Sequence, residues 1–140
     1  MPEPNPAAQK SILVVEDDDA TRSMIAATLQ RAGYNVTCAV GRTEVLALVS
    51  FHPFDLVLTD VIMTEIDGTE VISALRRYRS ATPVIAISGG GSYMTSEFSL
   101  KLAKAVGAGI LLMKPFRLEE LLRAVENALA GEVPPAREND

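Results

Sequence analysis

Five short apolar runs, rich in β-branched residues, alternate along the chain with longer segments of helical period. Each run has the length of a β-strand. The first, third and fourth runs are almost continuously apolar, which is typical of parallel strands covered on both faces. The predicted strands are residues 11–16, 34–40, 55–60, 83–88 and 109–113. The pattern therefore predicts an α/β fold, a doubly wound five-stranded parallel sheet with helices on both faces.

The second run differs from the others because its apolar and polar residues alternate, which predicts an edge strand with one wetter face. We expect Cys38, inside this run, to be a small buried hydrophobe. Between the strands, apolar residues recur at helical spacing, and glycines follow the last two of these stretches. Five helices are predicted, and their apolar stripes include Leu29, Val49, Ile72, Phe98 and Leu122.

The length of 140 residues allows one domain with a core of its own. We expect this domain to span residues 11–130, between a disordered proline-rich arm at 1–10 and a disordered polar tail at 131–140. No separate output domain is expected. The arm contains no apolar stretch typical of a signal peptide, so the expected location is cytoplasmic.

The net charge and the hydropathy of the chain argue against two classes of function. Thirteen basic and eighteen acidic residues give a net charge of −5, without a basic cluster. This balance argues against direct nucleic-acid binding. Apolar runs are far too short for a membrane span, so we expect no membrane insertion.

Polar side chains stand at the ends of four predicted strands. In an open parallel sheet, the functional crevice lies at the carboxyl ends of the strands. Those positions hold Glu16, Asp17, Asp60, Ser88 and Lys114. Crowded carboxylates require a compensating cation, and oxygen ligands favour Mg²⁺. A lysine facing a carboxylate beside Mg²⁺ suits phosphoryl transfer, with an aspartyl phosphate as the product.

Simpler interpretations compete with this one at individual residues. Asp18 and Asp19 are expected to lie at a solvated helix start, where one or the other caps the first helix instead of binding a metal. Taken alone, Asp60 could be an ordinary loop carboxylate and Lys114 a surface lysine. The sole histidine, His52, stands in a His-Pro turn and is expected to be structural. The joint occurrence at four strand ends favours a site.

Several motifs resemble those of the response-regulator receiver domains of two-component signalling. They are ILVVEDD at 12–18, DLVLTDVIM at 55–63, Asp67-Gly68, VIAIS at 84–88 and LLMKPF at 111–116. The resemblance implies a chemotaxis-regulator-like receiver of the stand-alone, single-domain type. The resemblance covers residues 11–130. It implies a flavodoxin-like sheet of order 2-1-3-4-5.

The resemblance also implies a role for each site residue, with Asp60 as the phosphoacceptor. Mg²⁺ would be held by Glu16, Asp17, Asp60 and the backbone carbonyl of Ile62. The phosphoryl group would be bound by Ser88, Gly89 and Lys114, and the switch residues would be Ser88 and Leu111. Leu111 departs from the aromatic residue that is usual there. Since Ile62 and Gly90 cannot orient a water, we hypothesise slow self-dephosphorylation without turnover of an external substrate.

The implied donor is a phosphohistidine on a sensor histidine kinase or a histidine phosphotransfer protein. The receiver would then signal to a separate protein target, as a monomer or as a homodimer formed on phosphorylation. Two alternatives stay open. One is a docking module that uses the fold without phosphorylation, and the other is a Mg²⁺ phosphohydrolase. The second would need a carboxylate where Ile62 stands.

Overall fold

The computed structural model describes residues 10–61, 63, 66–79, 81–88, 107 and 109–131. Five parallel strands form one sheet of order β2-β1-β3-β4-β5. The strands are β1 (Ser11–Val15), β2 (Asn35–Ala39), β3 (Leu56–Asp60), β4 (Val84–Ser88) and β5 (Ile110–Met113). Both the predicted sheet order and the predicted fold class are confirmed, and each strand ends within one residue of its predicted bounds.

Four helices lie in the described residues: α1 (Asp19–Arg31), α2 (Arg42–Phe51), α3 (Gly68–Tyr78) and α4 (Leu118–Leu129). The predicted helix around Phe98 lies outside the described residues, as do residues 1–9 and 132–140. The predicted arm and tail therefore stay predictions. No helix in the described part of the chain is long and apolar enough to cross a bilayer.

The sheet separates two apolar layers. Because successive side chains of a strand point to opposite faces, each central strand supplies both layers. One layer packs the strands against α1 and α4 and includes Ile12, Val14, Ile25, Leu29, Leu58, Leu121 and Val125. The other packs the strands against α2 and α3 and includes Leu13, Val15, Val45, Val49, Val57, Val71, Ile72 and Leu75. This double coverage explains why the first, third and fourth runs are continuously apolar.

Strand β2 lies at the sheet edge, as its alternation predicts. The predicted burial of Cys38 is wrong, because this residue is exposed. Cys38 pairs with Val14 of β1, which is buried. An edge strand has a neighbour on one side only, so the same apolar pattern receives less cover there.

Candidate functional site

The strand register brings three predicted site positions, Asp60, Ser88 and Lys114, to one edge of the sheet. Asp60 pairs with Ile87, and Ser88 pairs with Met113, so β3, β4 and β5 end side by side. Two backbone bonds extend this alignment past the strands. The Val61 N–H donates to the Ile87 carbonyl at 2.8 Å, and the Lys114 N–H donates to the Ser88 carbonyl at 2.8 Å. The carboxyl ends of these three strands therefore lie together at one edge of the sheet.

Three carboxylates lie close together at this edge of the sheet. Glu16 is 1% exposed and Asp60 is 5% exposed, while Asp17 is half-buried. One carboxylate oxygen from each residue lies within 4.8 Å of the other two. Oxygen donors at this spacing fit a hard divalent cation such as Mg²⁺, which binds carboxylates in preference to nitrogen or sulfur ligands. The structure thus brings together the predicted acidic pair and Asp60.

Lys114 joins two of these carboxylates. Its Nζ donates to Glu16 Oε1 at 2.5 Å and to Asp60 Oδ2 at 2.9 Å. The peptide bond from Lys114 to Pro115 is cis. The lysine side chain is 23% exposed, so its charge is screened less than that of a surface lysine. Lys114 thus faces carboxylates at the carboxyl edge of the sheet, and its predicted contact with a phosphoryl oxygen stays a prediction.

The proton affinities of this cluster reflect its crowding. The pKa of Glu16 is raised from 4.5 to about 7, first by burial and then by a hydrogen bond with Asp60, against the lowering effect of Lys114. For Lys114, burial lowers the pKa, but the hydrogen bonds to Glu16 and Asp60 outweigh it and the net shift is upward. Lys114 is therefore charged near neutral pH, whereas Glu16 is poised between its two protonation states.

Ser88 brings a hydroxyl to the same edge. The residue is fully buried, and among the buried side-chain polar atoms of the described residues its Oγ is the one without a hydrogen-bond partner. Leaving a buried hydroxyl unsatisfied costs about 1–3 kcal/mol. Such groups call for an explanation, and a ligand oxygen at the carboxyl edge would supply the missing partner.

Gly68 fixes the backbone next to Asp60. A Cβ at this position would lie 2.4 Å from the Asp60 carbonyl oxygen and 2.7 Å from Val61 Cα. The Gly68 N–H donates to the Val61 carbonyl at 2.7 Å. Only glycine lets the first turn of α3 pack this closely on the end of β3. The sequence marks Gly68 as part of a motif, but this contact could not be read from it.

The acidic residues after Asp17 have a different role. Asp18 is the N-cap of α1, and its Oδ2 accepts from the Thr21 N–H at 2.8 Å and from Thr21 Oγ1 at 2.6 Å. These hydrogen bonds lower the pKa of Asp18. Asp19 forms an ion pair with Arg22. The predicted cap at Asp18 is confirmed.

The sequence also predicts site roles for Leu111, Ile62 and Gly89. Leu111 is half-buried and packs against the apolar layer of α2 and α3. Ile62 and Gly89 lie outside the described residues, so their predicted contacts stay predictions. Sequence reasoning missed Arg22, whose Nη1 donates to the Glu16 carbonyl at 2.9 Å. An arginine one turn into a helix carries no signal of such a contact.

These features define a class of protein: a doubly wound α/β domain with an acidic pocket and a lysine at the carboxyl edge of its sheet. The profile of the response regulator receiver domain matches residues 12–126. The chain belongs to this family.

Relatives and solved structures support the assignment. The chain is 31% identical over 123 residues to a putative response regulator NtrX-like of Rickettsia typhi, covering 86% of this chain and 25% of the relative. It is 36% identical over 120 residues to the DNA-binding transcriptional regulator NtrC of a Bradyrhizobium species, covering 86% and 24%. The chain thus spans about a quarter of the length of these curated relatives.

Two similar structures are covered almost completely by the chain. A CheY-like response regulator receiver domain protein from Methanospirillum hungatei superposes with a TM-score of 0.78 at 28% identity, covering 87% of this chain and 94% of that one. The chemotaxis response regulator CheY4 of Vibrio cholerae gives 0.74 at 32% identity, covering 85% and 98%. The fold of this chain is therefore that of a receiver domain.

Proposed function

We propose that this receiver domain accepts a phosphoryl group on Asp60 with Mg²⁺ and signals to a separate protein partner. The donor is a phosphohistidine of a sensor histidine kinase or of a histidine phosphotransfer protein. The observation that carries the proposal is the contact of one ammonium, Lys114 Nζ, with two buried carboxylates, Glu16 and Asp60. Such an arrangement places compensating charge beside a buried oxygen nucleophile.

The transfer step follows from this geometry. A carboxylate oxygen of Asp60 attacks the phosphorus, a P–O bond forms, and the P–N bond to the donor imidazole breaks. The bonding electrons leave with the imidazole nitrogen, which takes a proton. Glu16, Asp17 and Asp60, together with the predicted Ile62 carbonyl, would hold a Mg²⁺ ion, which would supply positive charge to the phosphoryl oxygens. Asp60 would serve both as a metal ligand and as the nucleophile.

Lys114 and Ser88 act on the transferred group. The lysine ammonium, 2.9 Å from Asp60 Oδ2, is close enough to exchange its carboxylate contact for a phosphoryl oxygen. The unpartnered Ser88 Oγ would donate a hydrogen bond to another phosphoryl oxygen. We propose that Gly89 also binds the phosphoryl group. Rearrangement at Ser88 then reaches Leu111 on the neighbouring strand, which connects the site with the surface read by a partner. Dephosphorylation is slow, and no external substrate is turned over.

Acetyl phosphate provides the direct test, because it can replace the unidentified donor. The native chain, incubated with acetyl phosphate and Mg²⁺, is expected to gain one phosphoryl mass, measured on the intact protein at mildly acidic pH. Asp60→Asn should show no gain. Asp55→Asn is the matched control, because Asp55 immediately precedes the same strand at its opposite end, and it should be modified like the native chain. Chelation of Mg²⁺ should abolish the gain.

Two results would contradict the proposal. One is an equal gain of mass in Asp60→Asn. The other is no gain in the native chain with acetyl phosphate or with a phosphohistidine protein, which would favour a docking module that works without phosphorylation.

A further inference from the structure

The loop between β1 and α1 carries two of the three clustered carboxylates, Glu16 and Asp17. A metal ligand on a short loop is useful only if the backbone of that loop is held in place, because a displacement of about 1 Å can cost a large part of a site's function. Arg22, in the first turns of α1, contacts this loop directly. Its side chain is 20% exposed, so most of it is covered by the protein.

The guanidinium of Arg22 makes two contacts, one on each side of Asp17. Nη1 donates to the backbone carbonyl of Glu16 at 2.9 Å. Nη2 donates to Asp19 Oδ1 at 2.5 Å. Asp17 thus lies between two points that a single planar group holds. A guanidinium suits this task because its donors have a fixed geometry, which the single ammonium of lysine does not offer.

The geometry assigns Arg22 as a positioning residue, a clamp that keeps the Glu16–Asp17 backbone where its carboxylates can share a divalent cation with Asp60. The inference rests on the proposed function, since it concerns the same metal site. Arg22 itself binds neither the ion nor the phosphoryl group. It acts through the backbone of the two residues that do.

Two simpler roles for Arg22 give different expectations. If Arg22 acted only as a positive charge, its removal would strengthen Mg²⁺ binding, because the cation would lose a like-charged neighbour. If it only stabilised α1 through the pair with Asp19, its removal would lower stability slightly and leave Mg²⁺ affinity unchanged. A clamp predicts the opposite of the first role: weaker binding of Mg²⁺.

Calorimetric titration of the full chain with Mg²⁺ separates these roles. We expect Arg22→Met to raise the Kd for Mg²⁺ about tenfold or more, as is typical when groups that orient metal ligands are removed. Arg22→Lys keeps the charge but loses the fork, and it should bind Mg²⁺ as weakly as Arg22→Met. Arg31→Met is the matched control, because Arg31 is an exposed arginine in the last turn of the same helix. Its Kd should equal that of the native chain.

A second readout needs no metal. In the metal-free protein, amide hydrogen exchange at Asp17 and Asp18 should be faster in Arg22→Met than in the native chain, while exchange in β3 is unchanged. The phosphorylation rate with acetyl phosphate should then recover to within about threefold of the native rate at saturating Mg²⁺, because the clamp affects occupancy and not the transfer step.

The outcomes distinguish this inference from the proposed function. If the native chain neither binds Mg²⁺ nor accepts a phosphoryl group, the proposed function fails. If the native chain does both, and Arg22→Met matches or exceeds its Mg²⁺ affinity with unchanged amide exchange, the clamp alone is wrong. Weaker Mg²⁺ binding in Arg22→Met with normal binding in Arg31→Met supports the clamp.

Discussion

The two ends of the sheet use charged side chains in opposite ways. At the carboxyl ends of the strands, Glu16 has a pKa raised by burial and Ser88 has a hydroxyl without a partner. At the amino ends, charged side chains complete the hydrogen bonding of the backbone. The difference supports the proposal that the carboxyl edge of the sheet binds a ligand, whereas the contacts at the amino edge stabilise the fold.

Asp55 and Arg76 are the main examples at the amino ends. Asp55 Oδ2 accepts from the Ser11 N–H at 2.7 Å, which ties the starts of β3 and β1. Arg76 Nη1 donates to the Thr82 carbonyl at 2.6 Å, and its Nη2 donates to the Gly107 carbonyl at 2.8 Å. Gly107 has a φ of +118°, and a Cβ there would lie 2.9 Å from Arg76 Nε. These contacts hold the chain segments that precede β4 and β5 in place.

The comparison predicts that substitutions at the carboxyl edge impair function and that those at the amino edge impair stability. The largest effect is expected at Lys114. Lys114→Met should slow phosphorylation by acetyl phosphate at least about a hundredfold, because an aligned charge at a transferring group is worth that much. Lys10→Met, at the amino edge, is the control and should react within twofold of the native chain. A loss below about fivefold at Lys114 would contradict its assigned role.

Arg76→Met should lower the free energy of unfolding by about 3 kcal/mol, because two carbonyls lose a charged donor. Urea unfolding measures this loss. The adjacent, exposed Arg77 is the control, and Arg77→Met should change stability by less than about 0.5 kcal/mol. Where Arg76→Met is fully folded, it should still be phosphorylated at the native rate. A slowed reaction would break the proposed division between the two edges.

The pH dependence of the free energy of unfolding tests whether burial disfavours the ionised form of Glu16. Its folded pKa of about 7 exceeds the value of 4.5 that it has in the unfolded chain, so the folded state binds the extra proton. The stabilisation that comes from binding this proton is fully present below pH 4.5 and is lost as the pH rises through 7. In the presence of a chelator, stability should fall by about 2 kcal/mol between pH 5 and pH 8.

Glu16→Gln is the control for this dependence, and it should remove most of the slope in urea unfolding. The pKa of Lys114 is shifted upward from 10.5, so this lysine adds no slope in the same range. Saturating Mg²⁺ should also flatten the curve for the native chain, because the ion replaces the proton. An unchanged slope in Glu16→Gln would show that another titrating group causes the pH dependence.

The smallest effect is expected at Asp18. Asp18→Ala removes the N-cap of α1 and should lower Tm by a few degrees, whereas Asp18→Asn keeps a capping oxygen and should not. Mg²⁺ affinity separates this residue from its neighbour. Asp18→Asn should bind Mg²⁺ within twofold of the native chain, and Asp17→Asn should bind it at least about tenfold more weakly. Equal losses at both positions would mean that the cap also serves as a ligand.

Much of the fold could be predicted because strand and helix periods are local properties of the sequence. The edge position of β2 followed from its alternation, for the same reason. The burial of Cys38 could not be predicted, since it depends on how far a neighbouring helix covers an edge strand. That quantity is set by tertiary packing and leaves no periodic signal in the strand itself.

The candidate site also combines features that could be predicted from the sequence with features that could not. Glu16, Asp60 and Lys114 could be placed together because parallel strands end at one edge. Contacts that depend on side-chain conformation could not be predicted. Arg22 reaches back to the Glu16 carbonyl, and Arg76 contacts Gly107, which lies 31 positions further along the chain. No spacing rule connects an arginine with such partners.

The central claim is that the carboxyl edge presents Asp60 as the phosphoacceptor. Borohydride reduction after phosphorylation converts an aspartyl phosphate to homoserine, and peptide mass mapping then locates it. Homoserine is expected at position 60 and at no other aspartate. Homoserine at Asp17 or Asp18 instead, with Asp60 intact, would contradict it.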